Sequence, residues 1–362
     1  MLVAAISCCA LSVPAQIANP ENNPYSSVCQ EAVKTPLPAE ATKIATPEKW
    51  PDCISYRIYS GIGVAKDVVA ARRCAWEERL AFRTHQLDPN DGLTPNFGGS
   101  AMLAILYANG EGVKRNIPLA IRFACEVEQS QGFSERWLDR LQESEPNDPS
   151  NSERLLSFCS EQDDIASLDT CGFMDRRCAA YGAELADQRR KEELRRLTAK
   201  WSGAQKAEFV RLTQAQDEYA SAVGAYAGHY PESLHVENAI NAEEDVQDKF
   251  VSDLKQFESG KLPRGSESDY RLADKELNQA FQQTLAKSEA DARNNSGTDA
   301  DKQMAAEDPE YIRNVERAWI KYRDAWVDFA RLRYPTVSRF AWLTFLTVDE
   351  TKKMSDIQTE RY

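Results

Sequence analysis

Ring-bearing and charged positions alternate most clearly over Tyr311–Pro335, which reads YIRNVERAWIKYRDAWVDFARLRYP. Ile312, Val315, Trp319, Tyr322, Trp326 and Phe329 are spaced 3-4-3-4-3, which places them on one stripe of an α-helix. A fainter copy lies 103 residues upstream, at Phe209, Leu212, Gln216, Tyr219, Val223 and Tyr226. Only Gln216 departs from apolar or aromatic character there, and Ala222/Ala325 and Ala227/Ala330 are identical. Both runs reach Tyr-Pro, at Tyr230-Pro231 and Tyr334-Pro335, after one residue of slippage. Proline disfavours helical geometry in the residue before it, so both helices are predicted to stop there. Asn241-x-x-Glu244 and Thr347-x-x-Glu350 then read as capping boxes, each opening a final helix. Ser338–Leu346 supplies Phe340, Trp342, Leu343, Phe345 and Leu346, a stretch predicted to close over the Trp319 stripe. Burying each of these side chains contributes roughly 1.5–3 kcal/mol.

The first half carries a different repeat. Tyr59-Ser60-Gly61-Ile62-Gly63-Val64-Ala65-Lys66-Asp67 precedes a helical run through Ala71 and Trp76. The pattern recurs from Tyr107 through Gly110, Gly112 and Val113 to Asn116, before a helix through Ala120 and Phe123. In each, a helix ends in a Gly-x-Gly-Val turn and Asp67 or Asn116 caps the next helix. The valine is expected to anchor the turn. Glu143–Ser152 (ESEPNDPSNS) reads as a linker. Asp187–Lys200 is dense in charge, and reads as a solvated helix with i,i+4 pairs rather than a docking surface. These elements predict an all-α protein. A short helical-hairpin repeat domain (25–143) is followed by one or two antiparallel helical-bundle modules (153–260 and 266–362).

Leu2–Val13 is uncharged and largely apolar, and Val13-Pro14-Ala15 suits signal-peptidase cleavage, so residues 1–15 read as a signal peptide. A basic segment before it is missing, which suggests a true start a few residues earlier. Ala5-Ile6-Ser7-Cys8 weakly resembles a lipobox, making lipid anchoring at Cys8 the lesser alternative to a periplasmic or secreted protein. Cys29, Cys53, Cys74, Cys125, Cys159, Cys171 and Cys178 all precede residue 179, so disulfides are expected in that half. Their odd number leaves at least one thiol free or intermolecular, and spacing fixes no connectivity. A Cys171–Cys178 bridge would need a helix break near Gly172. Neither these cysteines nor His85, His229 and His235 make a metal-ligand pattern, and no cofactor is expected. A net charge of −13 argues against nonspecific nucleic-acid binding and suits a basic partner, or solubility alone. No later run is long and apolar enough for a transmembrane segment.

Gly98-Gly99-Ser100-Ala101-Met102-Leu103-Ala104-Ile105-Leu106-Tyr107, with the turn after it and Ala120, resembles the Sel-one-like repeat. That family is related to the tetratricopeptide hairpin. Residues 53–76 are a poorer copy, and Leu87–Gly99 reads as an insert. The resemblance implies a scaffold for protein contacts. In the second half, Ala273, Asp274, Leu277 and Asn278 form an Ala-Asp-x-x-Leu-Asn helix motif. Ala318, Trp319, Tyr322, Arg323 and Asp324 form Ala-Trp-x-x-Tyr-Arg-Asp. Together they resemble the LprI-like lysozyme-inhibitor family of small exported helical domains, over about residues 268–360. The upstream module looks like a diverged copy. The family often carries cysteines beside these motifs; this copy has none.

Trp319 and Tyr322 lie on the stripe and are expected in the core rather than at a ligand. Arg323 and Asp324 sit just off it, where the guanidinium is expected to clasp a carboxylate from the Asp274 helix, or else to meet a partner together with Asp274 and Asn278. The reading that follows is an exported, noncatalytic protein-binding protein of the bacterial envelope, in its sharp form an inhibitor of a basic lysozyme-type muramidase. The alternatives are a Sel-one-like assembly scaffold and, behind it, a peptidoglycan-acting enzyme.

Overall fold

A computed structural model describes residues 26–41, 52–84, 97–127, 131–143, 155–159, 173–229, 235–294 and 309–359. The signal-peptide segment, the Cys8 lipobox, Cys171, the Tyr230-Pro231 stop and most of the Leu87–Gly99 insert lie outside them. The fold is all-α, with no strand among the described residues. Two compact units divide the chain, Met1–Leu185 and Ala186–Tyr362.

The first unit contains α1 (Ser26–Ala32), α2 (Ser55–Ser60), α3 (Val68–Thr84), α4 (Gly99–Asn109), α5 (Ile117–Ala124) and α6 (Gln131–Glu143), with the start of α7 (Phe173–Thr198). Helices α2–α3 and α4–α5 form two hairpins with one turn chemistry. Gly61 and Gly63 have φ of 77° and 70°, and Gly110 and Gly112 have 70° and 65°. A side chain with a Cβ is strained in that left-handed region, which is why glycine recurs. Asp67 accepts from the Val69 and Ala70 amides, and Asn116 from the Leu119 amide, so both predicted caps are made. The valines behave differently: Val113 packs on the core, whereas Val64 stands exposed and Ile62 takes the inward position.

The helix α4 is the spine of this unit, buried continuously from Ala101 to Ala108. The fully buried Glu78 carboxylate of α3 accepts from the Ser55 amide at 2.9 Å, the Ser55 hydroxyl and the Gly99 amide at 2.8 Å. One acid thereby satisfies orphan donors at the starts of both α2 and α4, where the helix dipoles also favour negative charge. Arg79 pairs bidentately with Glu126 at 2.6 Å and lies over the Trp76 and Phe123 rings. Three disulfides, Cys29–Cys125, Cys53–Cys74 and Cys159–Cys178, settle the connectivity that spacing left open among the described cysteines.

The second unit contains the end of α7, then α8 (Gly203–Ala227), α9 (His235–Glu258), α10 (Glu267–Asn294), α11 (Pro309–Arg333) and α12 (Arg339–Thr359). Ser202 and Gln205 build a reciprocal capping box at the start of α8. The two capping boxes read from the sequence are not helix starts. Asn241 and Glu244 lie inside α9, and Thr347 and Glu350 inside α12, because the apolar run from Arg339 is itself the first part of α12. Trp342 from that run stacks on Trp326, with centroids 6.0 Å apart and planes 9° apart. One core draws on Phe209, Leu212 and Tyr219 of α8, Phe250, Leu254 and Phe257 of α9, and the whole α11 stripe. The charged α7 segment makes the local pairs Lys191–Asp187, Arg195–Glu192 and Arg196–Glu193. Arg190 instead is buried and reaches Glu244 and Asp248 of α9.

Candidate functional site

The helices α8 and α11, which carry the echoing stripes, pack antiparallel. Gln205 reaches the Leu332 carbonyl, Phe209 meets Phe329 at 5.5 Å, and Tyr219 stacks on Tyr322 at 5.4 Å with planes 12° apart. At the crossing the partners are the equivalent positions of the two stripes, since Lys321 also pairs with Glu218, 103 residues away. Gln216, the odd member of its stripe, is buried, and its Nε2 has no hydrogen-bond partner among the described residues.

Trp319 and Tyr322 are both buried. Burial pushes the Tyr322 phenol far above its ordinary range, so it stays protonated. Arg323 donates to Asp324, its own neighbour, at 2.9 and 2.7 Å, and lies 5.3 Å over the Trp319 ring. On α10, Asn278 donates to the Asp274 carbonyl at 2.7 Å, and Tyr270 donates to the Asp274 carboxylate at 3.4 Å. Burial raises the Tyr270 phenol, and Arg323 opposes that shift while Asp274 and Asp324 reinforce it. The structure therefore gathers Asp274, Arg323 and Asp324 electrostatically around Tyr270, and the guanidinium's own carboxylate is Asp324.

Sequence reasoning did not find a polar layer inside this unit. Tyr219 donates to Glu350 at 2.5 Å, and Lys353 approaches the same phenol oxygen at 3.4 Å. Lys249 bridges Asp253 at 2.9 Å and Asp349 at 3.2 Å. Burial raises Glu350 above the usual glutamate range, against the pull of Lys353 and the Tyr219 hydrogen bond. Burial likewise raises Asp253, against Lys249. The only sequence signal was Thr347-x-x-Glu350, whose spacing fits a cap and a buried helix face equally well.

A carboxyl with a raised folded pKa is a penalty when ionised. That penalty disappears as pH falls through the folded pKa toward the ordinary glutamate value of about 4.3, so Glu350 adds stability on acidification. Glu258 is the opposite case. Despite the opposing effect of its burial, Arg333 and Tyr334 hold it below the usual range, so its contribution is lost only in stronger acid. Glu350→Gln should therefore flatten the dependence of the unfolding midpoint on pH between 7 and 4.5, read by tryptophan fluorescence in urea. A slope identical to the parent's would mean that Glu350 does not titrate differently on folding.

Beside Glu350 an apolar cleft of about 30 Å³ opens among Tyr226 of α8, Leu277, Phe281 and Thr284 of α10, Ile312, Val315, Glu316 and Trp319 of α11, and Met354 of α12. Glu316 is partly buried at the edge, and burial raises its pKa against the nearby charge of Arg317. Among the described residues, no group of three or more His, Cys, Asp or Glu could hold a metal ion, and no helix is long and apolar enough to cross a membrane.

Residues 263–359 match the family model described as Lysozyme inhibitor LprI. The match is well under half of the 362 residues, and it takes in α10, α11 and α12 with both sequence motifs. The C-terminal region is thus LprI-like. Its core is completed by α8 and α9, which lie outside the matched segment. No curated protein and no solved structure matches the chain.

Proposed function

We propose that this is an exported, noncatalytic protein-binding protein of the bacterial envelope, whose LprI-like region suppresses a lysozyme-type muramidase. The match of residues 263–359 carries this reading. Three disulfides fit an oxidising compartment, and a net charge of −13 suits attraction to a basic enzyme. The full chain should slow muramidase lysis of cell-wall suspensions at micromolar concentration. The effect should weaken several-fold between low salt and about 0.5 M, as screening shortens the range of the acidic field. Absence of suppression at micromolar levels in low salt would retire the inhibitory reading.

The recurrence of one left-handed Gly-x-Gly turn in both hairpins of the first unit favours a second reading, a Sel-one-like scaffold for an envelope assembly. Val64 and Val69 stand exposed at that hairpin. If the scaffold reading holds, aspartate at both positions abolishes affinity capture of an envelope partner and leaves muramidase suppression intact.

A further inference from the structure

We propose that the cleft lined by Leu277, Phe281, Ile312 and Trp319 receives the end of a lysine side chain from a protein partner, with its ammonium held at Glu350 and Glu316. This rests on the protein-binding reading above and names the chemistry that its site would recognise.

The size of the cleft selects a side-chain tip rather than a larger ligand. About 30 Å³ is room for roughly two water-sized spheres. The walls are apolar, and Leu277, Phe281, Ile312, Trp319 and Met354 are all buried, so a methylene stem fits along them. The ionisable carboxyls lining the cleft are both glutamates. Glu350 is 5% exposed, and the hydrogen bond it accepts from Tyr219 goes to Oε2 alone, leaving Oε1 without a partner among the described residues. Glu316 makes no hydrogen bond or ion pair among the described residues, since neighbouring Arg317 is directed to Glu310 and Asn314. Lys353, whose charge acts on Glu350, makes its own contacts with Asp349 at 3.7 Å and with the Tyr219 phenol.

An anionic occupant would meet two like charges here. A purely apolar one would cover two carboxyls without giving them a donor, which is unfavourable for buried polar groups. A compact ammonium on an unbranched stem satisfies both conditions. The planar guanidinium of arginine, with its five donors, needs more width than this space offers.

The test uses the full chain labelled with ¹⁵N-tryptophan and titrated with n-butylammonium, a mimic of the lysine tip. n-Butanol serves as its neutral counterpart, and sodium chloride keeps ionic strength constant. The Trp319 indole signal is assigned from its loss in Trp319→Phe. A saturating shift of that signal is expected with the amine, at least tenfold weaker with the alcohol. Glu350→Gln and Glu316→Gln should each weaken the amine response about tenfold. If Glu350→Gln does not fold, Glu316→Gln at the edge carries the comparison alone. Equal shifts from alcohol and amine, or unchanged amine binding in the substituted proteins, would overturn the proposal. Muramidase suppression is scored separately. A parent that shows the indole shift without suppression supports the cleft and retires the inhibitory reading. Suppression without the shift overturns the cleft and leaves that reading standing.

Discussion

Trp326→Ala should destabilise the second unit by about 3–5 kcal/mol, the range for removing a large aromatic side chain from a packed core. Trp326 is 1% exposed and sits where α9 and α12 converge on its own helix, α11. Its ring meets Phe250 and Phe257 of α9, each at 5.6 Å, Phe329 one turn on at 5.7 Å, and Trp342 of α12 at 6.0 Å. The indole Nε1 has no hydrogen-bond partner among the described residues, so the loss is mainly one of packing and burial. Substitution by phenylalanine leaves a smaller void and should be markedly milder. The measurement is urea unfolding followed by near-ultraviolet circular dichroism. With a slope of about 1–3 kcal/mol per molar, the alanine variant should unfold at least 1 M earlier than the parent. A loss below 1 kcal/mol would show that the stacked rings are not what holds α9, α11 and α12 together.

The stripe around Trp326 was legible because 3-4 spacing leaves a helix one face to hide, and all six positions from Ile312 to Phe329 fall on it. Periodicity states which side turns inward, but not which helix it meets. The stack of Tyr219 on Tyr322 needed the antiparallel crossing of α8 and α11, and nothing in either stripe specifies that crossing. Charge followed the same division. Local pairing along α7 was readable from spacing, since both partners lie on one helix, although of the pairs expected at i,i+4 only Lys191–Asp187 has that spacing and Arg195–Glu192 and Arg196–Glu193 are i,i+3. Arg190 belonged to the same charged run, yet its partners Glu244 and Asp248 are supplied by α9. Local spacing carries no record of a partner more than 50 residues away.

The candidate site shows where motif reading stops. Asp274 and Asn278 are four residues apart on one helix, and they bond to each other. Arg323 finds its acid in Asp324 and its aromatic neighbour one turn back in Trp319. These hydrogen bonds are local to each helix, whereas the meeting of Arg323 and Asp324 with Tyr270 of the other helix is not written in either motif. The polar layer of Tyr219, Lys249, Asp253, Asp349 and Glu350 is assembled from α8, α9 and α12, and no two of those helices share a sequence motif with it. An isolated Glu350 in the chain looks like any solvent-facing acid. It is 5% exposed because side chains on other helices cover it.

Removing the Cys29–Cys125 bridge, by serine at both positions, should affect the first unit most among its three disulfides. The bridge spans 96 residues of sequence, against 21 for Cys53–Cys74 and 19 for Cys159–Cys178. Chain-entropy reasoning assigns about 4.7 kcal/mol to a loop of that length and about 3.3 kcal/mol to the shorter ones, because a longer loop restricts the unfolded chain more. The native side of the balance points the same way. Helix α1 has seven residues, too few to be helical alone, and the bridge fastens it to the end of α5. The rest of residues 26–41 is held by Arg122, which donates to the Thr35 carbonyl, by Glu40, which accepts from Trp76 and Tyr107 and pairs with Arg72, and by Leu37 and Ala41 against the core, so the bridge is the covalent attachment of α1 itself. The double-serine variant should therefore release residues 26–41 to limited proteolysis well before the hairpins α2–α3 and α4–α5 are cut, and should lower the unfolding temperature of the first unit by several degrees or more. If the three double-serine variants instead lost equal stability, loop length would not be the controlling quantity. Disulfide stabilisation here would then reside in local packing around each sulfur pair.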